Sequence, residues 1–178
     1  MDVILIGFMG SGKTTIGKLL AEMLLVPHTD LDQEIVESAG QTIKDFFSKY
    51  GEVKFRELEH RILLNQLKKN GVLSTGGGTP INIQNLEILQ ATKTPVILLE
   101  ASTNTILERV GKSEERPLVN QMSTRQLTSL RTERMPFYQE CADLRINTDN
   151  RSPVEITEQI YRYLLDTNQY SINSKVKF

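Results

Sequence analysis

Gly7-Phe8-Met9-Gly10-Ser11-Gly12-Lys13-Thr14 follows directly on the apolar run Val3-Ile4-Leu5-Ile6 and leads into Lys18-Leu19-Leu20-Ala21-Glu22-Met23-Leu24. The β-branched run reads as a buried strand and the later segment as a helix. Between them stands a complete G-x-x-x-x-G-K-[ST] loop, whose glycines let the backbone turn its N–H groups inward around phosphate oxygens at a helix N-terminus. From this position Lys13 can reach the β- and γ-phosphates of a nucleotide, and the Thr14 hydroxyl can ligate Mg²⁺. The stretch therefore predicts a nucleotide-binding α/β domain.

Outward from the loop, strands and helices alternate in the pattern of a parallel sheet covered on both faces. Strands are expected at Val3–Ile6, His28–Asp30, Val72–Thr75, Val96–Leu99 and Leu144–Thr148. Helices are expected at Lys13–Leu25, Gln33–Ala39, Thr42–Lys49, Glu52–Asn70, Ile83–Gln90, Thr103–Val110, Thr124–Cys141 and Pro153–Leu165. Gly71 reads as a helix C-cap and Pro95 as the residue before a strand. No repeat or linker interrupts residues 1–165, which are expected to form one domain, and the polar tail 166–178 is expected to fray.

Composition narrows the function further. The 178 residues carry a formal net charge of −1, which argues against a global positive field for nucleic acid. Any anionic ligand must be held by a few local cations. The lone Cys141 excludes an internal disulfide and a thiolate metal site, and His28 and His60 are too far apart in sequence to suggest a metal cluster. No signal peptide or membrane-spanning run is apparent, so the expectation is a cytoplasmic protein without a membrane partner.

A phosphate loop alone does not separate switches, motors and small-molecule kinases. Motor ATPases usually carry an acid at the end of a neighbouring strand, but Val72-Leu73-Ser74-Thr75 runs straight into Gly76-Gly77-Gly78. A guanine-reading Asn-Lys-x-Asp segment is absent too. Asp30-Leu31-Asp32 is the best source of carboxylate, since ligands of open α/β sheets lie beyond the strands' carboxyl ends. Strand alternation would turn both acids to one side, with Asp32 as a helix N-cap the equally good alternative.

In Glu52-Val53-Lys54-Phe55-Arg56-Glu57-Leu58-Glu59, the i, i+4, i+7 spacing lines up Glu52, Arg56 and Glu59 on one helix face. A solvated ion-pair ladder is the plainer reading of that spacing. In the other, Glu59 orients Arg56 to grip a carboxylate bidentately. Three consecutive glycines suggest that the backbone at Gly76–Gly78 approaches something closely or adopts positive φ. Lys112-Ser113-Glu114-Glu115-Arg116-Pro117-Leu118 reads as an exposed loop, commonly plain surface but also suited to a lid.

Taken together with Arg134-Met135-Pro136-Phe137-Tyr138, these motifs resemble in order and spacing those of the shikimate kinases, from about residue 2 to 165. The resemblance implies a three-layer α/β/α fold of P-loop NTPase type, with a five-stranded parallel sheet like that of nucleoside monophosphate kinases. It also implies an acceptor-binding helical region at about 32–60 and a lid at about 111–123. ATP phosphates would lie on Gly10, Ser11, Gly12, Lys13, Thr14 and Thr15, with Mg²⁺ on Thr14 and, through water, Asp30 and Asp32. Arg56 and Arg134 would clamp the carboxylate of shikimate, Glu59 would orient Arg56, and Gly76, Gly77 and Gly78 would line the acceptor with Gly77 offering backbone. Asp32 would bind the acceptor's hydroxyls and help remove the reacting proton. Arg116 would neutralise charge on the moving phosphoryl, and Arg109 and Arg151 would flank adenine. Val119 and Asn120 depart from the more apolar continuation common in the family. The expected activity is ATP-dependent phosphorylation of the shikimate 3-hydroxyl by a monomer. A gluconate or nucleoside monophosphate kinase, or a non-catalytic P-loop module, are the alternatives.

Overall fold

The computed structural model describes residues 1–110 and 122–167. Five strands, β1 (Val3–Ile6), β2 (His28–Asp30), β3 (Val72–Ser74), β4 (Val96–Glu100) and β5 (Leu144–Asn147), form one parallel sheet in the order β2-β3-β1-β4-β5. The helices are α1 (Lys13–Leu24), α2 (Leu31–Ala39), α3 (Ile43–Leu67), α4 (Ile83–Ala91), α5 (Thr103–Val110), α6 (Thr124–Cys141) and α7 (Pro153–Asp166). Arg116 and most of the expected lid, together with residues 168–178, lie outside the described residues.

The central strand explains the layering. Val3 and Leu5 pack with Leu20, Ile97 and Ile160 in one apolar cluster, beneath α1 and α7. Ile4 and Ile6 join Leu31, Leu63, Leu98 and Tyr138 in a second cluster on the opposite face. Side chains alternate across a strand, so an uninterrupted apolar run fills two cores at once. The chain leaves β1 for the β2 edge, returns through β3, and crosses to β4 on the other side of β1. That reversal opens a crevice at the strands' carboxyl ends, and the phosphate loop sits in it.

The two helices expected over 42–70 are both present within α3 and meet at a kink at Gly51, whose φ of 78° and ψ of 174° are not helical. Other local expectations are corrected. The helix ends at a Lys68 cap, so Gly71 is not its C-cap. Gly71 instead adopts a φ of 125° against the carbonyl of Pro27, where a Cβ would collide. The chain also makes a short 3-10 turn at Thr79–Ile81 that sequence periodicity did not register. Among the described residues, no helix is long and apolar enough to cross a membrane.

Beneath α1 the sheet is tied to the phosphate loop by a polar relay. Ser74 Oγ donates to the Lys13 carbonyl at 3.0 Å and pairs with His28 Nε2 at 2.9 Å. Gly17 permits this contact, because a Cβ there would stand 2.6 Å from Ser74 Oγ and 2.7 Å from His28 Nε2. Burial pushes the His28 pKa below its ordinary 6.5, against the raising influence of Asp30 and with a further lowering by Lys18. A depressed imidazole binds fewer protons folded than unfolded, so its stabilisation is fully present above 6.5 and is lost progressively as pH falls from there through the lower folded value. The expected outcome is a lower urea midpoint at about pH 5.5 than at about pH 7, with a smaller drop in His28→Gln. Equal drops in the two proteins would rule out His28 as the source.

Candidate active site

The phosphate loop takes its shape from glycine. Gly10 (φ 77°) and Gly12 (φ 99°) occupy backbone conformations that a side chain resists, and Gly12 is the N-cap of α1. Lys13 is buried, and its ammonium donates to the Gly7 carbonyl at 2.9 Å and the Phe8 carbonyl at 3.1 Å. Ser11 Oγ is fully buried and, among the described residues, has no hydrogen-bond partner. An orphaned hydroxyl and an ammonium within one loop fit an anionic ligand that would bond both. Thr15 follows in the first turn of α1.

Hard oxygen donors converge next to the loop. Thr14 Oγ1 donates to Asp30 Oδ2 at 2.7 Å. Asp30 is the last residue of β2 and the N-cap of α2, and its Oδ1 accepts from the Asp32 N–H at 3.1 Å. Strand alternation is therefore not what brings the acids together, and the cap is Asp30 rather than Asp32. The strand stops at Asp30, and the first turn of α2 carries Asp32 round toward Gly76. Among the described residues, no three His, Cys, Asp or Glu side chains gather into a metal-holding group. One hydroxyl with neighbouring carboxylates suits a hydrated Mg²⁺, which keeps several waters and binds few protein ligands.

The triple glycine lies where these parts meet. None of Gly76, Gly77 and Gly78 has positive φ, so close approach rather than turn geometry accounts for them. A Cβ on Gly76 would stand 2.5 Å from Asp32 Oδ1, and one on Gly78 2.7 Å from Arg56 Nη2 and 2.9 Å from Nη1. On Gly77 it would lie 3.3 Å from the Met9 N of the phosphate loop.

Two arginines from different helices reach this glycine run. On α3, Arg56 Nη1 donates to Glu59 Oε2 at 2.7 Å, while exposed Glu52 is a looser partner at 3.4 Å. Glu59 is 1% exposed, so the solvated ladder describes Glu52 and not Glu59. On α6, Arg134 Nη1 donates to the Gly77 carbonyl at 3.3 Å, and its guanidinium carbon lies 5.8 Å from the centre of the Phe8 ring. Tyr138 Oη shares that carbonyl at 2.5 Å. Burial pushes the Tyr138 phenol up to about 12, outweighing the lowering effect of Arg134, so it remains a donor. Tyr138 closes the Arg134–Tyr138 motif, and its i+4 spacing from Arg134 is the sequence signal that places both on one helix face.

The two arginines expected beside the base differ in their partners. Arg109 donates to the Gly10 carbonyl (3.3 Å), Thr148 Oγ1 (3.0 Å) and the Thr148 carbonyl (2.8 Å), joining the phosphate loop to the segment after β5. Arg151 turns to Gln159 Oε1 at 2.7 Å and to the carbonyls of Asn147 and Glu155. Those partners draw it along α7, so the two arginines expected around a base are engaged separately.

A phosphate loop at the switch point of a parallel sheet, opposed by acidic and arginine side chains on a glycine run, defines the class of P-loop phosphotransferases acting on small anionic molecules. The comparisons with known proteins agree. A sequence model of the shikimate kinase family matches residues 9–165. The chain is 44% identical to the shikimate kinases of Limosilactobacillus fermentum and Enterococcus faecalis over 165 residues, 92% of this chain and 95% and 98% of theirs. Among solved structures it resembles shikimate kinase from Acinetobacter baumannii in complex with shikimate, with a TM-score of 0.85 and 33% identity over 98% of this chain and 94% of that one. Shikimate kinase from Aquifex aeolicus gives a TM-score of 0.80 at 33% identity, covering 94% of this chain and 98% of that one. The chain belongs to the shikimate kinase family.

The glycine contacts yield a direct test. Gly78→Ala is expected to push the Arg56 guanidinium aside, raising the acceptor KM by about tenfold or more while leaving ATP KM near wild type. An unchanged acceptor KM in steady-state assays would show that Arg56 can move without loss.

Proposed function

We propose that this chain transfers the γ-phosphoryl group of ATP to the 3-hydroxyl of shikimate, giving shikimate 3-phosphate and ADP in aromatic amino-acid biosynthesis. The observation that carries this reading is the arrival of Arg56 and Arg134, from separate helices, at the glycine run that faces the phosphate loop. Two planar guanidiniums there suit one small carboxylate, and a half-buried Asp32 beside Gly76 suits its hydroxyls.

In the proposed reaction the acceptor oxygen forms a bond to the γ-phosphorus as the bond to the bridging oxygen breaks. ADP leaves with that electron pair, and the hydroxyl proton passes to Asp32. Such a transition state is loose, so positioning and charge neutralisation dominate over covalent assistance. Lys13 exchanges its contacts with the Gly7 and Phe8 carbonyls for phosphate oxygens. Ser11 and the backbone of Gly10, Gly12, Thr14 and Thr15 hold the remaining phosphate oxygens. Thr14 would bind Mg²⁺ directly, with Asp30 and Asp32 on its water shell, and the ion would add positive charge between the phosphates. Gly77 and Gly78 line the acceptor, while Arg109 and Arg151 serve the base, Arg151 after leaving Gln159. Arg116 is assigned to the lid at 111–123 by family resemblance alone.

Clamping one end of the acceptor fixes the distance of its hydroxyl from the phosphoryl group, which turns a bimolecular encounter into an oriented one. The chain is proposed to act as a monomer. Soluble substrates fit a cytoplasmic site of action, and no nucleic acid or membrane partner is required. The region 32–60 is assigned to the acceptor within a single domain, 1–165.

Turnover of purified protein with Mg²⁺·ATP against shikimate, gluconate and nucleoside monophosphates tests the function. Rapid ADP release with shikimate alone, with a new phosphomonoester ³¹P signal, is expected. Preferred turnover of gluconate or a nucleotide would overturn the assignment. Arg56→Ala and Arg134→Ala should each raise the shikimate KM by roughly 10²-fold, with ATP affinity little changed. Wild-type shikimate KM in both would exclude the carboxylate clamp. Asp32→Asn should retain the fold by circular dichroism but lose about 10²-fold or more in kcat. Retained kcat would remove Asp32 from the reaction centre.

A further inference from the structure

We propose that Thr79 and Asn85 are positioning residues for Arg56, acting through Glu59. This inference rests on the reading of Arg56 as the arginine that grips the acceptor carboxylate. Nothing in the spacing of the arginine helix points to either residue, since both lie beyond β3.

The contacts form a closed circuit. Glu59 is buried at 1% exposure, and each of its oxygens has a different partner: Oε2 takes Arg56 Nη1 at 2.7 Å and Oε1 takes Thr79 Oγ1 at 2.8 Å. Thr79 opens the 3-10 turn that follows the glycine run and is fully buried. Its carbonyl accepts from Asn85 Nδ2 at 3.1 Å, and Asn85, also fully buried, pairs through Oδ1 with His60 Nδ1 at 2.8 Å. His60 stands next to Glu59 on α3, so the path runs from α3 through the turn and α4 back to α3.

A buried carboxylate keeps a fixed orientation only while both oxygens are bonded. Without the Thr79 hydroxyl, Oε1 would lose its neutral donor, and the carboxylate would turn toward other donors and release Nη1. Arg56 would then regain rotamer freedom that each binding event must remove. Asn85 acts one step back, by holding the turn that presents Thr79. The same turn begins immediately after Gly78, where a Cβ would collide with the Arg56 guanidinium. The glycine run thus bounds the guanidinium directly, and the hydroxyl acts on it through the carboxylate.

The test compares Thr79→Val and Thr79→Ala, which remove the hydroxyl, with Thr79→Ser, which restores it, and adds Asn85→Leu. The hydroxyl-free variants are expected to raise the shikimate KM about tenfold, with kcat and ATP KM within about twofold of wild type, and Ser should restore the KM. Asn85→Leu should raise the same KM in the same direction. A purely structural tie would lower the melting temperature without this split. Nitrogen-15 NMR reads the relay directly: separate Arg56 Nη signals are expected in wild type and Thr79→Ser, and merged signals in Thr79→Val. Unmoved Nη signals, unchanged shikimate KM, or an equal rise in ATP KM would overturn the proposal. Absence of shikimate turnover in the wild type would instead overturn the acceptor assignment, while the Nη signals would still decide the relay.

Discussion

A side chain on Gly76 or Gly78 would occupy space already taken by Asp32 or Arg56, and one on Gly77 would press on the phosphate loop. The site depends on this backbone approach. It lets an acidic helix N-terminus, an arginine helix and a nucleotide loop meet within a few ångströms of one strand end. The strand itself is positioned by β1, which pairs with β3 and launches the phosphate loop. Displacing the glycine run would therefore separate the two halves of the chemistry without unfolding either core.

The near-neutral charge of the chain is consistent with this geometry. A small anion needs a few guanidiniums held in place rather than an extended positive field. Holding them requires buried partners, because a long side chain in water gains little from a salt bridge. Glu59 is buried and supports Arg56, whereas Glu52, on the same helix face, is 69% exposed and holds it loosely. Arg134 is constrained differently, by the Gly77 carbonyl and the Phe8 ring.

Much of the architecture was legible in the sequence because it follows from local rules. The alternation of apolar strands with amphipathic helices gave the parallel sheet, and ends shifted by up to three residues, as at Leu67. Gly71 suits a helix C-cap by type, but its conformation is governed by a neighbour distant in the chain, Pro27. Asp32 read equally well as a cap or as one of two acids facing the same way, and the cap is Asp30. Glu52 and Glu59 show the same limit, since equal spacing from a helix face carries no information about which carboxylate is covered.

The sequence alone determined the phosphate loop, the strand that carries it and the set of residues resembling the shikimate kinases, because motif and periodicity are properties of consecutive residues. Only the tertiary structure decided how those residues are used. It made the triple glycine a matter of close approach rather than of positive φ, and it gave Tyr138 and Arg134 a shared carbonyl. It gave Arg109 and Arg151 different hydrogen-bond partners and joined Thr79 and Asn85 to an arginine more than twenty residues away. Those relations depend on burial and on contacts between distant segments, which exist only once the sheet and its helices are assembled.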